Sequence, residues 1–178
     1  MRKIFICLII FQAFSLAANA DSNRMKNKIG AHIGLLGDPF PTLVGFNLNY
    51  NVLDFLRATA GYGSISASTS ATVGSTTTSS TLTATTIGVG ARAFVPGWNF
   101  SPVLGLSWAN VSISATGTVS TTTVGGFGVS ASHLYASIGF DWQTDGGFNL
   151  GGGYNLSLKS GVGGLPYINL GWYFDFLK

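Results

Sequence analysis

Residues 45–63, GFNLNYNVLDFLRATAGYG, alternate between oily and polar side chains. Phe46, Leu48, Tyr50 and Val52 interleave with Gly45, Asn47, Asn49 and Asn51. After Leu53 and Asp54 the pattern resumes, with Leu56, Ala58, Ala60 and Tyr62 set against Arg57, Thr59, Gly61 and Gly63. Successive side chains on a strand point to opposite faces, so the stretch predicts a β-hairpin with one apolar and one polar face. Eight alternating segments follow one another at approximately 27–37, 42–52, 55–68, 81–95, 99–114, 126–142, 147–159 and 165–177. Each is long enough to cross a bilayer as a strand, which takes about 9–11 residues.

The connections carry a second signal. Tight turns are expected at Leu53-Asp54, at Pro96-Gly97-Trp98 and at 143–147, where Asp145-Gly146 favours positive φ. Longer links are expected around 37–41, 69–80, 115–125 and 159–165, so short and long connections alternate. In an up-and-down barrel that places all short turns on one rim and all long loops on the other, the outer-membrane arrangement. The links at 69–80 and 115–125 belong to Ser/Thr-rich, low-complexity stretches on the long-loop rim. They read either as solvated, strand-extending loops, given the β preference of Thr, or as a contact surface facing the exterior.

Which face lies inside follows from what each carries. The polar parity holds Gly30, Gly34, Gly61, Gly88, Gly105, Gly139, Gly151 and Gly171, together with Asn47, Asn49, Asn149, Asn155 and Asn169. The strand charges Lys28, Arg57, Arg92, Asp141 and Asp175 share it. A soluble eight-stranded barrel turns large apolar residues inward and charges outward. The inverse fits here: eight strands enclose a cramped axis that glycine relieves, while lipid accepts the apolar belt. The expected fold is an all-β, eight-stranded antiparallel up-and-down transmembrane barrel. Tyr50, Trp98, Trp142, Phe148, Trp172, Phe174 and Phe176 fall near strand ends at the short-turn rim, where an aromatic girdle belongs.

Composition agrees with a lipid-facing wall. Charged residues make up 8% of the chain, against about a quarter in ordinary soluble domains. Residues 1–20 have the positive start, apolar middle and Ala18-Asn19-Ala20 end of a cleaved signal peptide, leaving 21–178 as one barrel domain. After that cut, seven Lys or Arg face six Asp and no Glu, a net charge of +1 with no basic cluster, which argues against nucleic-acid binding. The single cysteine, Cys7, lies in the signal, so the exported chain has no disulfide.

The segments Asn49-Tyr50-Asn51-Val52-Leu53-Asp54-Phe55-Leu56-Arg57 and Gly171-Trp172-Tyr173-Phe174-Asp175-Phe176 resemble those of small outer-membrane β-barrel proteins, the class of OmpX, OmpW and the OmpA transmembrane domain. The resemblance implies a location in the outer membrane of a Gram-negative-type cell and lipid bilayer as the main partner. It also implies delivery by the barrel-assembly machinery through the C-terminal strand. Family members commonly end on an aromatic; this chain adds Leu177 and Lys178 after Phe176.

Candidate chemistry is sparse. His133 shares a face with Tyr135, Ser137 and Asp141, yet Asp141 lies about 26 Å along the strand, at roughly 3.3 Å per residue, too far to orient the imidazole. His32 and His133 therefore read as packed lumen polars, and no ligand spacing suggests a metal or cofactor. Lys28, Arg57, Arg92, Asp141 and Asp175 form the candidate charge network closing the short-turn end of the lumen, with separate charges snorkelling into water as the alternative. The functions consistent with this reading are a non-catalytic structural or surface-interaction barrel acting as a monomer, a narrow channel for ions or small hydrophobic solutes, and an adhesin working through the Ser/Thr loops.

Overall fold

The structure, a computed structural model, describes residues 23–35, 44–120, 122–159 and 163–175. The signal-like segment, the link at 37–41 and Phe176 lie outside them. Eight strands follow a short helix, α1 (Asn23–Lys26): β1 (Ile29–Leu35), β2 (Val44–Leu53), β3 (Leu56–Val73), β4 (Thr76–Phe94), β5 (Phe100–Val119), β6 (Thr122–Gln143), β7 (Phe148–Ser157) and β8 (Leu165–Phe174). Every strand pairs antiparallel with its sequence neighbour, and β8 returns to β1 through pairs such as Ile33↔Leu170, closing the barrel. Closure leaves no strand edge at barrel level, the condition for a sheet to cross hydrocarbon.

The faces divide as the alternation requires. Along β2, Phe46, Leu48 and Tyr50 are exposed while Asn47, Asn49 and Asn51 are buried. Around the ring Ile33, Ile87, Leu104, Ile138 and Leu170 also point outward and are exposed, and Arg57, Asp141, Asn149, Asn155 and Asn169 point inward with at most 1% exposure. A soluble protein arranged this way would wet its oil and dehydrate its amides at once. The barrel is of the transmembrane type.

Glycine and bulk are matched across the lumen wall. Gly30 pairs with Tyr173 and Gly171 with His32. A Cβ on Gly30 would stand 2.5 Å from the Tyr173 ring, and one on Gly171 would enter the His32 imidazole. His32 in turn meets Tyr173 edge-on at 4.9 Å between ring centroids. The glycines are thus the space that the inward rings occupy.

Two expectations are corrected. The chain does not alternate long and short connections: the stretches 69–80 and 115–125 are mostly strand, β3–β4 reverses at Gly74-Ser75, and β5 ends at Val119 only shortly before β6 begins at Thr122. Thr and Ser side chains stabilise the extension by bonding across it, Ser66 to Thr83 at 3.1 Å, Thr72 to Thr77 at 3.0 Å and Ser79 to Thr118 at 2.5 Å. The asymmetry of the barrel's two ends is therefore one of strand length. Positive φ in the 144–147 turn falls on Gly147 rather than Gly146, because the Gly147 backbone lies against Tyr173, whose N–H it accepts at 2.7 Å.

The glycine–ring matching predicts that Gly30→Val destabilises the barrel by about 1–3 kcal/mol through overpacking against Tyr173. Its lipid-side neighbour, Ala31→Val, should change stability little. Urea unfolding in detergent, followed by tryptophan fluorescence, checks both.

Candidate functional site

The end of the lumen next to the turns at 54–55, 95–99 and 144–147 is filled by a hydrogen-bonded plug. Asp141, inward on β6, sits at its centre. Arg57, the second residue of β3, grips it through both oxygens, Nη1 to Oδ2 at 2.7 Å and Nη2 to Oδ1 at 3.1 Å. Arg24 of α1 reaches in from outside the sheet and donates to Oδ1 at 3.3 Å, and also to the Trp98 carbonyl and, at 3.5 Å, to that of Asn99. The Arg57 guanidinium lies between the Phe94 and Tyr173 rings, 4.6 Å and 4.7 Å from their centroids, and Arg24 lies over Phe94 at 4.4 Å. Flat cations against ring faces gain quadrupole attraction that partly offsets lost hydration. Burial pulls the Arg24 guanidinium below its ordinary pKa, and the Asp141 carboxylate acts in the opposite direction.

Amide side chains complete the plug and hold α1 in place. Gln143 Nε2 donates to the Asn23 and Asn27 carbonyls at 3.0 Å and 3.3 Å, while Asn23 Nδ2 returns a bond to the Gln143 carbonyl at 3.1 Å. Asn51 Nδ2 donates to the carbonyls of Arg24 and Asn27 at 3.2 Å and 3.1 Å, and its Oδ1 accepts from Arg57 Nε at 2.9 Å. Asp54 ties the turns of this rim together by accepting from the Gly97 N–H at 2.5 Å. Deeper in, Thr59 bonds Asn49 at 2.7 Å and Ser137 bonds Asn155 at 2.6 Å. Between Thr59, Arg92, Ser107 and Ser137 there is room for about one water molecule.

Of the five charges singled out in the sequence, the structure joins Arg57 and Asp141 directly. Arg92 is buried beside them on β4, its guanidinium 4.9 Å from the Tyr167 ring centroid. Lys28 and Asp175 are half-buried at the same end, outside the Asp141 ion pairs. Sequence reasoning missed Arg24, Gln143, Phe94 and Tyr173. Gln143 and Tyr173 share the parity of Asp141 and Gly171 and could have been found from it; Arg24 precedes the first strand, where no alternation points to it.

The aromatic residues Tyr50, Trp98, Trp142, Trp172 and Phe174 are exposed near this end, and Phe148 is half-buried between two of them. Trp142, Phe148 and Trp172 form an edge-to-face chain, with centroids 6.0 Å and 5.7 Å apart. Tyr50 and Phe174 flank Ile29 at the same register on β2 and β8.

At the opposite end β3–β6 rise out of the barrel as a four-stranded blade, paired throughout from Thr72↔Thr77 to Val119↔Thr122. Among the described residues β2 accompanies β3 only as far as Gly63 and β7 accompanies β6 only from Tyr135, so within them the outer edges of β3 and β6 are unpaired in the blade. Residues 58–91 and 93–140 contain no Asp, Glu, Lys or Arg, so the blade carries no formal charge.

A closed ring, an apolar exterior and a polar axis make this the architecture of the small outer-membrane β-barrels. No protein-family model and no curated protein matches the chain. Among solved structures it is similar to Ail, the attachment invasion locus protein of Yersinia pestis. In complex with the heparin analogue sucrose octasulfate, Ail aligns at a TM-score of 0.49 and 13% identity, over 82% of this chain and 94% of Ail. Another structure of Ail gives a TM-score of 0.44 at 10% identity with the same coverage.

Asp141 is the anion that two buried guanidiniums share, so Asp141→Ala leaves Arg24 and Arg57 buried without one. The expected loss of unfolding free energy is about 3–5 kcal/mol. Lys28→Ala should change it by less than about 0.5 kcal/mol, as for an ordinary surface substitution. Equal effects in urea unfolding would refute the plug's centring on Asp141.

Proposed function

We propose that the chain is a non-catalytic outer-membrane protein in which a plugged barrel anchors a blade for contact with other molecules or surfaces. The observation that carries this reading is the pairing of an ion-paired, amide-filled lumen with a long uncharged sheet at the other end. Side chains occupy the axis where a pore would need water, which favours the closed barrel over the channel. The Trp142–Phe148–Trp172 chain acts as part of the girdle at the periplasmic interface. The blade then stands on the cell exterior. Residues 1–20 direct export and are removed, and the terminal strand engages the assembly machinery.

A lipid-modifying enzyme is the weaker reading. His133 lies toward the blade end, 6.2 Å between centroids from Tyr135. Asp141 is eight residues further along the same strand, and acid–base catalysis needs a partner within hydrogen-bond reach.

Replacing residues 67–82 and 115–127 each by an Asn-Gly turn cuts both hairpins in register, below the pairs Ala67↔Leu82 and Ala115↔Phe127. The shortened protein should still show the heat-modifiable gel shift of a folded barrel while losing attachment of expressing cells to surfaces or other cells. Intact protein in a planar bilayer should give no stepwise conductance. Steady ion-selective steps would favour the channel, and undiminished attachment by the shortened protein would rule out the blade as the contact surface.

A further inference from the structure

Every pairing in the ring but one joins strands that follow each other in the chain; the exception is the β1–β8 seam. The two strands meet there from Ile29↔Phe174 to Leu35↔Ile168. On its lumen side the seam carries polar atoms that do not bond across it. His32 Nε2 on β1, and the Tyr173 hydroxyl and both amide atoms of Asn169 on β8, are buried without hydrogen-bond partners. The side-chain bonds described above join other strands: Arg57 on β3 to Asp141 on β6, Thr59 to Asn49 on β2, and Ser137 to Asn155 on β7. The seam thus rests chiefly on its backbone ladder and on the ring contact between His32 and Tyr173.

α1 and the residue after it, Asn27, supply reinforcement from across the lumen. Asn51 on β2 and Gln143 on β6 both donate to the Asn27 carbonyl, at 3.1 Å and 3.3 Å. These strands lie four positions apart in a ring of eight, on opposite walls. In an uncurled sheet they would stand about 19 Å apart, at about 4.8 Å per strand, and one oxygen could not meet both. Arg24 repeats the arrangement: its carbonyl accepts from Asn51, while its guanidinium reaches Asp141 and the Trp98 carbonyl. A four-residue helix has no stability of its own in water, so α1 takes its shape from these contacts. Its docking presupposes a closed barrel.

We propose that α1 is a latch on the seam, docking only after closure and then holding β1 against β8. The strap runs in the direction this requires. β1 begins at Ile29, two residues beyond Asn27, so bonds at Asn23, Arg24 and Asn27 restrain the start of that strand. Their partners on the far side are Asp141 and Gln143 of β6 and the Asp145 carbonyl of the β6–β7 turn. From β1 across the seam, β6 lies beyond β8 and β7, so α1 spans the seam from inside while the ladder spans it in the wall. Parting β1 from β8 would draw a buried guanidinium off its carboxylate, and a half-complete buried pair is costly. The latch does not depend on what the blade contacts. It concerns how a barrel closed by a seven-residue strand stays shut.

Amide hydrogen exchange, followed residue by residue by NMR on the protein in detergent micelles, tests it. Asn23→Ala with Arg24→Met removes these side-chain bonds of α1 and leaves Arg57 on Asp141. Amides 30–33 and 170–173 should then exchange about tenfold faster or more, while amides 87–91 and 104–108 change by less than about twofold. Ser137→Ala, which breaks a buried bond away from α1, should show no such preference for the seam. Equal acceleration in the seam and in β4–β5, or none in the seam, overturns the latch. So does the same seam preference in Ser137→Ala, which would make the seam merely the first part to open. If the double variant gives no heat-modifiable barrel, Asn23→Ala alone decides. It loses a single bond and should favour the seam in smaller measure; no preference overturns the proposal.

Discussion

A backbone in hydrocarbon has no water to bond, and that constraint shapes this protein from end to end. The β1–β8 ladder, from Ile29↔Phe174 to Leu35↔Ile168, is the seam that satisfies it. Once the sheet is shut, its circumference is set by eight strands, and the space inside admits side chains but little else. Everything placed on the inward parity must then fit around a common axis. That is why Gly30 faces Tyr173 and Gly171 faces His32, and why the polar groups within reach bond to one another.

The plug follows from the same confinement. A guanidinium in such a space needs an anion and flat neighbours, and Arg57 has both in Asp141, Phe94 and Tyr173. Buried ion pairs are seldom strong net stabilisers, since desolvation opposes the attraction, but a pair left half-complete is costly. The network around Asp141 is best understood as a constraint on register. It joins β3 to β6 across the lumen, and through Gln143 and Asn51 it fixes α1 against the rim. A one-residue slip of either strand would turn Arg57 or Asp141 toward lipid.

The fold was legible in the sequence wherever period-two alternation operates. Residues 44–52 show it without interruption, and one parity collects Asn47, Asn49 and Asn51 while the other collects Phe46, Leu48 and Tyr50. The limits of the strands were less legible. Ser and Thr suit both solvated loops and half-exposed strands, and only pairing such as Ser66 with Thr83 decides between them. Parity alone shows that Arg57 and Asp141 point inward. Their contact depends on how eight strands are staggered around the ring, a global property that no single segment contains. Arg24 was out of reach for a further reason: it enters from a four-residue helix with no periodic pattern to reveal its direction.

The exchange of faces along β3–β6 is the same physics with the solvent reversed. Around Tyr62, Ile87 and Trp108 the outer environment is lipid, and the outward side chains are oily. A few residues later the outer environment is water, and the outward side chains become hydroxyls, as at Ser66, Thr83 and Ser114. That change alone would be complete with polar residues on both faces of the blade, as water on both sides would favour. Instead the inner face becomes apolar at the level where the polar lumen ends, with Val111 and Ile113 following Ala109 on β5 and Val129 preceding Ala131 on β6. A water-exposed sheet with one hydroxyl face and one apolar face has the patterning of half a sandwich. Among the described residues the barrel therefore ends in a blade with one hydroxyl face and one apolar face that has no second layer packed on it.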